Sequence, residues 1–195
     1  MPNPSATRLS TDDAPVRLHI GCGNCIIPGF INVDIKAFPH IHHVTGADDL
    51  HFAEDGSVDM IYACHVLEHF GRIAFTKVLR EWTRVLKTGG LLRISVPDFR
   101  SCAAIYYEKG LEDGLSGLIG LISGGQRDDH DFHKMIFDEP FLTGELEELG
   151  YVSVRRWNWR ETDHAQYDDF SQAYIPHMDK ENGTLMSLNL EATLG

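Results

Sequence analysis

Apolar residues recur along the chain with two periods, and these periods predict strands that alternate with helices. Short runs rich in β-branched and aromatic residues predict five strands in the first half, at residues 16–20, 30–35, 42–44, 58–63 and 91–96. Between the last two, apolar residues three and four positions apart form one stripe and predict a helix: Ile73, Phe75, Val78, Leu79, Trp82, Val85 and Leu86. The pair Gly89-Gly90 is expected to end this helix.

The second half is less regular but carries the same two kinds of element. We expect helices at residues 100–109 and 138–149, the latter closed by Gly150, and strands at 152–159 and 185–192. Two long polar stretches, 110–137 and 161–183, are interpreted as functional loops or lids. Strands that alternate with crossovers indicate an α/β fold with a mainly parallel sheet. Residues 1–15 are interpreted as a disordered tail and 16–195 as a single domain.

Length and charge narrow the classes of function. A chain of 195 residues suits one domain. It carries 17 basic and 29 acidic residues, a net charge of −12, and 18 of the acids lie after residue 99. Such a surface repels a phosphate backbone, so we expect no nucleic-acid partner.

No apolar run approaches the ~20 residues that cross a bilayer, so we expect no membrane partner either. The first fifteen residues lack the apolar core of a secretory signal, and the four cysteines are expected to be reduced in a cytoplasmic protein. Cys22 and Cys25 form a C-x-x-C pair without the second pair that a zinc site needs.

A glycine turn follows the first predicted strand. Gly21 and Gly23 allow tight curvature and let a ligand approach backbone N–H groups, and Asp34 ends the second strand, where it can accept two hydrogen bonds from a ribose diol. A dinucleotide fold requires a third glycine where this chain has Ile26, and an acid ~20 residues further on. Asp34 follows Gly23 by only 11 residues, which disfavours an oxidoreductase that uses NAD or a flavin dinucleotide. A tight turn with a capping aspartate is the alternative.

Spaced blocks of sequence between residues 16 and 99 resemble the class I S-adenosylmethionine-dependent methyltransferases of the small type 11 group. The blocks are 16–35, 46–70 and 81–99, and the first crossover between them is shorter than usual. The resemblance implies a Rossmann-like sandwich with a seven-stranded sheet in the order 3-2-1-4-5-7-6, whose last strand is antiparallel. The end of the chain, after Asp169-Phe-Ser-Gln172, resembles a small bacterial branch often linked to surface-glycan or sugar pathways.

The resemblance also implies which residues bind S-adenosylmethionine. The methionyl part would contact the turn, the ribose diol would bind Asp34, the adenine would lie at the segment 48–50, and the channel would be lined by the residue that ends the fourth strand. The candidate cofactor residues are therefore Gly21, Cys22, Gly23, Asn24, Asp34, Asp48, Asp49, Leu50 and Cys64.

Three polar residues after the fourth strand share one face if a helix begins there. His65, Glu68 and His69 stand at i, i+3 and i+4. Glu68 and His69 can brace the glycine turn by hydrogen bonds, or a histidine can act as general base. Glu68 and His69 can also bind a divalent metal together with a lid histidine such as His133. That spacing resembles the acid-x-x-Glu-His element of metal-assisted methyltransferases acting on small-RNA ribose hydroxyls and ubiquinone precursors, with His65 in place of the first acid.

The predicted lids add further candidates for acceptor binding. His130 and His133 lie in the first lid, and the candidate bases are therefore His65, His69, His130 and His133. We expect methylation of a small molecule or sugar, on oxygen rather than nitrogen. A non-catalytic S-adenosylmethionine-binding partner or sensor is the alternative, and the acceptor and oligomeric state stay open.

Overall fold

The computed structural model describes residues 14–109 and 114–195. The predicted tail, residues 1–15, lies outside the described residues except for its last two positions. The strands found in the described parts are β1 Arg17–Ile20, β2 Ile31–Asp34, β3 His43–Val44, β4 Val58–Cys64, β5 Leu86–Pro97, β6 Tyr151–Arg156, β7 Tyr174–Ile175, β8 Thr184–Leu185 and β9 Ser187–Leu194. The α-helices found there are α1 Ala74–Val85, α2 Phe99–Ala104, α3 Ile119–Ser123 and α4 Glu139–Glu148.

Seven of these strands form one sheet in the order β3-β2-β1-β4-β5-β9-β6. The pairs from β3 through β5 are parallel, and β9 runs antiparallel to both of its neighbours. The topology predicted from the resemblance is therefore confirmed, with β9 in the place of the seventh strand. Within the described residues, strands β7 and β8 pair only with each other.

One face of the sheet is apolar and is covered by helices. Phe75, Val78, Leu79 and Trp82 of α1 are almost fully buried there, and α4 adds Leu142 and Leu146. The stripe predicted for α1 is confirmed except at its ends. Ile73 precedes the helix and is 80% exposed, and the helix ends at Val85 rather than at the glycines. Gly89 and Gly90 instead lie within β5, where the pairing with β4 shifts register.

The helix predicted for residues 138–149 is confirmed as α4. The Asp138 carboxylate accepts a hydrogen bond from Phe141 N–H and caps its start, and Gly150 follows its end with φ of 91°. The helix predicted over 100–109 is α2, which continues as a π-helical turn, Ile105–Lys109. No helix of the described residues is long and apolar enough to cross a membrane.

The opposite face of the sheet is largely polar. It carries His19, Asn32, Tyr62, Arg93 and Glu191, which are buried or nearly so. No described helix joins β1 to β2, and the chain after β6 covers this face instead. Trp157 packs beside Tyr62, and Trp157 Nε1–H donates to the Ile94 carbonyl.

Candidate functional site

A cavity of about 690 Å³ opens at the carboxyl ends of β1, β2 and β4. This is the edge at which open α/β sheets bind ligands. Its walls come from the turn after β1, the loops after β2 and β3, the turn after β4, and the loop between α3 and α4. Eight of the sequence-predicted site residues line it: Gly21, Gly23, Asn24, Asp34, Asp48, His65, His69 and His130.

The glycine turn has the curvature predicted for it. Gly21 and Gly23 adopt φ of 64° and 52°, in the left-handed region. A Cβ at Gly21 would collide with Val66 Cγ2, whereas a Cβ at Gly23 would meet open space. The Gly21 N–H donates to the Val33 carbonyl at 2.8 Å, so this amide serves the turn itself.

Asp34 connects the end of β2 to the turn. Its Oδ2 accepts from Gly23 N–H at 2.8 Å and its Oδ1 accepts from Lys36 N–H at 2.8 Å. The carboxylate is buried but borders the cavity. Each carboxylate oxygen has a second acceptor site, so Asp34 can still bind the two hydroxyls of a diol.

The cysteines near the turn do not line the cavity. Cys22 and Cys64 are buried and Cys25 is half-buried. Burial raises the pKa of Cys22 to about 12, with a further contribution from the nearby Asp34 charge, and burial raises the pKa of Cys25 to about 11. Both thiols are therefore protonated at neutral pH and are poor nucleophiles or metal ligands.

Of the predicted adenine segment, only Asp48 borders the cavity. Asp49 Oδ1 lies 3.1 Å from His51 Nδ1 on the surface. Leu50 is fully buried in the core, and its N–H donates to Glu81 Oε1 at 2.8 Å. Asp49 and Leu50, for which the resemblance implies contact with the adenine, therefore do not border the cavity.

His65 occupies a strained position directly after β4, with φ of 53°. Its Nε2 is 2.9 Å from Ser187 Oγ, and that hydroxyl donates its proton to the Phe170 carbonyl at 2.6 Å. Burial, together with smaller contributions from the nearby His133 and His69, lowers the pKa of His65 to about 3. The ring is therefore neutral and donates Nε2–H to Ser187.

Glu68 is fully buried behind the cavity wall, in the short 3₁₀ turn Leu67–His69. Its backbone carbonyl accepts from Lys134 N–H at 2.7 Å and Met135 N–H at 3.1 Å, which anchors the loop between α3 and α4. Its Oε1 lies 3.3 Å from His65 Nδ1 and 3.9 Å from His133 Nε2. Neither carboxylate oxygen has a hydrogen-bond partner in the described parts of the chain, and burial raises the pKa of Glu68 to about 8.

The anchored loop brings His133 against His69, and the two ring centroids are 4.9 Å apart. Burial lowers the pKa of both rings below its usual 6.5, so both are neutral at pH 7. His69 borders the cavity, and His133 lies outside its wall. Glu68, His69 and His133 each offer one ligand atom, and these atoms all lie within 4.8 Å of one another.

The cavity mouth is charged, and sequence reasoning missed most of its residues. Lys36 Nζ meets Asp128 Oδ2 at 2.5 Å across the mouth, and Arg127 Nε meets Asp131 Oδ2 at 2.6 Å. Lys134 also borders the cavity. The position of Lys36 two residues after Asp34 was the available signal, since both follow the same strand end.

The second predicted lid contributes one residue to the cavity. Phe170 is 63% exposed and stacks on His65 with ring centroids 5.1 Å apart. His164 is instead buried beside Tyr62, and Asp169 accepts from Tyr62 O–H at 2.6 Å. Asp168 forms an ion pair with Lys180.

Comparisons with known proteins bear on this arrangement. Residues 22–94 match the sequence family described as "Methyltransferase domain", a segment that begins within the glycine turn, at Cys22, and contains Asp34 and the His65–His69 run. No curated protein matches the chain.

Solved structures resemble the whole fold. A SAM dependent methyltransferase from Archaeoglobus fulgidus is 16% identical with a TM-score of 0.56, over 93% of this chain and 86% of that one. A possible histamine N-methyltransferase from Thermotoga maritima is 15% identical with a TM-score of 0.57, over 92% and 82%. Burkholderia thailandensis 1,6-didemethyltoxoflavin-N1-methyltransferase, solved with bound 1,6-didemethyltoxoflavin and S-adenosylhomocysteine, is 15% identical with a TM-score of 0.54, over 92% and 71%. These likenesses establish the Rossmann-like fold of class I methyltransferases.

Proposed function

We propose that this chain transfers a methyl group from S-adenosylmethionine to an oxygen atom of a small molecule or sugar. The match over residues 22–94 and the fold support an S-adenosylmethionine-dependent methyltransferase. The observation that carries the proposal is the Asp34 carboxylate, which borders a 690 Å³ cavity beside a left-handed glycine turn.

The residues around the turn fit the cofactor. Asp34 keeps acceptor sites for a ribose diol, and Gly23 leaves the space of a side chain open beside it. Asn24 and Asp48 border the same cavity and would contact the methionyl and adenine parts. When bound, S-adenosylmethionine supplies a methyl group activated by the sulfonium.

The loop between α3 and α4 would bind the acceptor. It borders the cavity through His130 and through charged residues of both signs, and Phe170 adds an exposed aromatic face. A polar rim with an aromatic face suits a hydroxylated ring such as a sugar or phenol. A hydroxyl must lose its proton as the methyl group is transferred, and the ring nitrogen of a neutral imidazole can accept it. We assign that role to His130, since His65 is buried and bonded to Ser187.

Orientation of the acceptor accounts for most of the expected rate enhancement. Holding two reactants in line contributes ~7–11 kcal/mol to the lowering of the barrier, and proton removal adds about 10²–10⁴-fold. The residues thus have two tasks, which are to align the acceptor oxygen and to remove its proton.

Calorimetry and a product screen test the proposal together. We expect the chain to bind S-adenosylmethionine but not NAD, and isotope-labelled cofactor to yield a product with a methyl mass shift among sugars, nucleotide sugars or phenols. Binding of NAD without S-adenosylmethionine would refute the proposal. Cofactor binding with no turnover on any acceptor would favour the alternative, a non-catalytic binding partner or sensor.

A further inference from the structure

We propose that Phe170 selects the methyl acceptor by stacking on a flat aromatic ring, and that Tyr62 and Ser187 are positioning residues that hold Phe170 in place. This inference rests on the proposed function, and it narrows the acceptor from a sugar or phenol to an aromatic ring. Phe170 belongs to the motif Asp169-Phe-Ser-Gln172 and borders the cavity.

One face of the Phe170 ring is covered by His65. The two ring centroids lie 5.1 Å apart, and the planes are inclined by 28°. His65 is itself buried and donates Nε2–H to Ser187 Oγ, so its ring is fixed beneath Phe170. Because Phe170 is nevertheless 63% exposed, its accessible surface is the opposite face together with the ring edges.

The backbone that carries Phe170 is fastened to the sheet. Three side chains of β4 and β9, all almost fully buried, donate hydrogen bonds to it: Tyr62, Ser187 and Asn189. Their acceptors are Asp169 Oδ2 at 2.6 Å, the Phe170 carbonyl at 2.6 Å and the Ser171 carbonyl at 2.9 Å, in that order. Three consecutive residues are thus held from below, which fixes the position of the exposed ring.

The polar side chains beside Phe170 are bonded within the protein. The Asp169 carboxylate also accepts from Ser171 N–H at 2.9 Å. Gln172 Nε2 donates to two carbonyls of the preceding loop, and its Oε1 accepts from Lys180 Nζ at 2.7 Å. Of these four motif residues, Phe170 is the one that borders the cavity. The motif therefore presents an apolar ring to a ligand and keeps its polar groups away.

This presentation favours an aromatic acceptor over a sugar. The face of an aromatic ring prefers another aromatic ring in an offset stack, and the side chain of Phe170 has no atom that could bond a sugar hydroxyl. A sugar needs a partner for each hydroxyl that it buries. The two ion pairs at the cavity mouth already join their side chains to each other. A phenolic ring needs only one such partner, which is the proposed base His130.

Two probes of the same size test the stacking, 2-naphthol and decahydro-2-naphthol, which carry one hydroxyl on a flat and on a puckered ring system. Each is titrated by calorimetry into protein with S-adenosylhomocysteine present, which has no methyl group to transfer. We expect wild type to bind 2-naphthol roughly fivefold more tightly than its saturated counterpart. Phe170→Leu should lose this preference and Phe170→Tyr should keep it. Phe99→Leu is the matched control, since Phe99 is 41% exposed but lies outside the cavity.

Tyr62→Phe and Ser187→Ala test the positioning role, and Tyr62→Phe removes only the hydroxyl that bonds Asp169. Each should weaken 2-naphthol binding and reduce the ring-current shift of the Phe170 NMR signals, while the dissociation constant of S-adenosylhomocysteine stays unchanged. Combined with Phe170→Leu, neither should weaken binding further, because both act through that ring. Additive losses would contradict the positioning role.

Three results would overturn the choice of acceptor. They are equal 2-naphthol affinity in wild type and Phe170→Leu, equal affinity of wild type for the two naphthol probes, and a larger loss of methyl β-D-glucopyranoside binding than of 2-naphthol binding in Phe170→Leu. Failure of the proposed function would appear instead as absent S-adenosylmethionine binding or absent methyl transfer. The probe titrations measure neither, so the two failures are distinguishable.

Discussion

Asp34 holds the glycine turn against the end of β2, because its Oδ2 accepts from Gly23 N–H at 2.8 Å. The same carboxylate borders the cavity, so one side chain shapes the turn and offers acceptor sites for a ligand. This double role makes Asp34 the most informative position for the cofactor.

Asp34→Ala should weaken S-adenosylmethionine binding at least tenfold, or about 1.4 kcal/mol. It removes the acceptors for the diol and releases the turn. Calorimetric titration measures the change, and Asp49→Ala is the control, since Asp49 lies outside the cavity. An unchanged dissociation constant in Asp34→Ala would contradict the assignment.

Gly21→Ala should destabilise the protein more than Gly23→Ala. Both positions have positive φ, which costs a non-glycine residue about 1–3 kcal/mol. Only at Gly21 does the new Cβ collide with Val66, which adds ~1–3 kcal/mol of overpacking. Urea unfolding measures the free energies.

Adding Val66→Ala to the Gly21→Ala variant should restore the stability lost through the collision with Val66, but not the stability lost through backbone strain. Equal losses in the two glycine variants would mean that the collision is relieved by a small backbone shift.

His130→Gln should lower kcat by about 10²–10⁴-fold while the S-adenosylmethionine dissociation constant stays the same, because the acceptor's proton would have no base. Initial rates with an identified acceptor measure this. His177→Gln, at an exposed position outside the cavity, should keep the wild-type rate. A rate within twofold of wild type for His130→Gln would assign the proton to another group.

Lys36→Met should speed the dissociation of S-adenosylmethionine and leave the unfolding temperature unchanged. The Lys36–Asp128 ion pair spans the cavity mouth, but both side chains are exposed, so it adds little to stability. Stopped-flow dissociation should become faster with salt in wild type and be insensitive to salt in the variant.

Arg127→Met is the control for this ion pair, since the bond from Arg127 to Asp131 stays within one loop. If Lys36→Met and wild type release the cofactor at the same rate, the ion pair does not close the mouth.

The ionisation of Glu191 should make the stability of the protein depend on pH in the acidic range. Burial alone would raise its pKa, but hydrogen bonds from Arg155 and Arg93 outweigh burial and hold the pKa below the usual 4.5. Glu191 therefore binds a proton more readily in the unfolded chain than in the folded one. Its contribution to the free energy of unfolding is complete above pH ~4.5 and is lost as the pH falls through the pKa that Glu191 has in the folded protein.

Glu191→Gln should lose about 1–2 kcal/mol at pH 7 and flatten the fall in stability below pH 4.5. Urea unfolding across pH measures both. Glu147→Gln, at an exposed position on α4, should leave the pH profile as in wild type. An acid limb as steep in Glu191→Gln as in wild type would contradict the assignment.

The fold was predictable wherever burial imposes a period on the sequence. The stripe of α1 follows from such a pattern. The order of the sheet was predicted from the resemblance to class I methyltransferases and not from periodicity. Ile73 was wrongly predicted to belong to the buried stripe, because periodicity does not show at which residue the burial of a helix face begins. The stop at Gly89 was misplaced because glycine's positive φ serves a strand irregularity as well as a helix end.

The cavity was predictable at strand ends and much less so in loops. Gly21 and His65 follow strands and Asp34 ends one, and the carboxyl ends of these strands meet at one edge of a parallel sheet. Phe170 and Lys134 reach the cavity from loops whose path is set by backbone hydrogen bonds, such as the one from Lys134 N–H to the Glu68 carbonyl. Those bonds do not depend on side-chain type, so composition and spacing leave no trace of them.

The short connection between β1 and β2 has a consequence during synthesis. His19 and Tyr62 leave the ribosome early, yet the segment around Trp157 that shields them follows about a hundred residues later. An apolar face exposed for that time would favour aggregation. This face instead carries the imidazole of His19, the amide of Asn32 and the hydroxyl of Tyr62, which can hydrogen-bond to water. The polar face of the sheet should therefore keep the first half of the chain from aggregating until the segment around Trp157 has been synthesised.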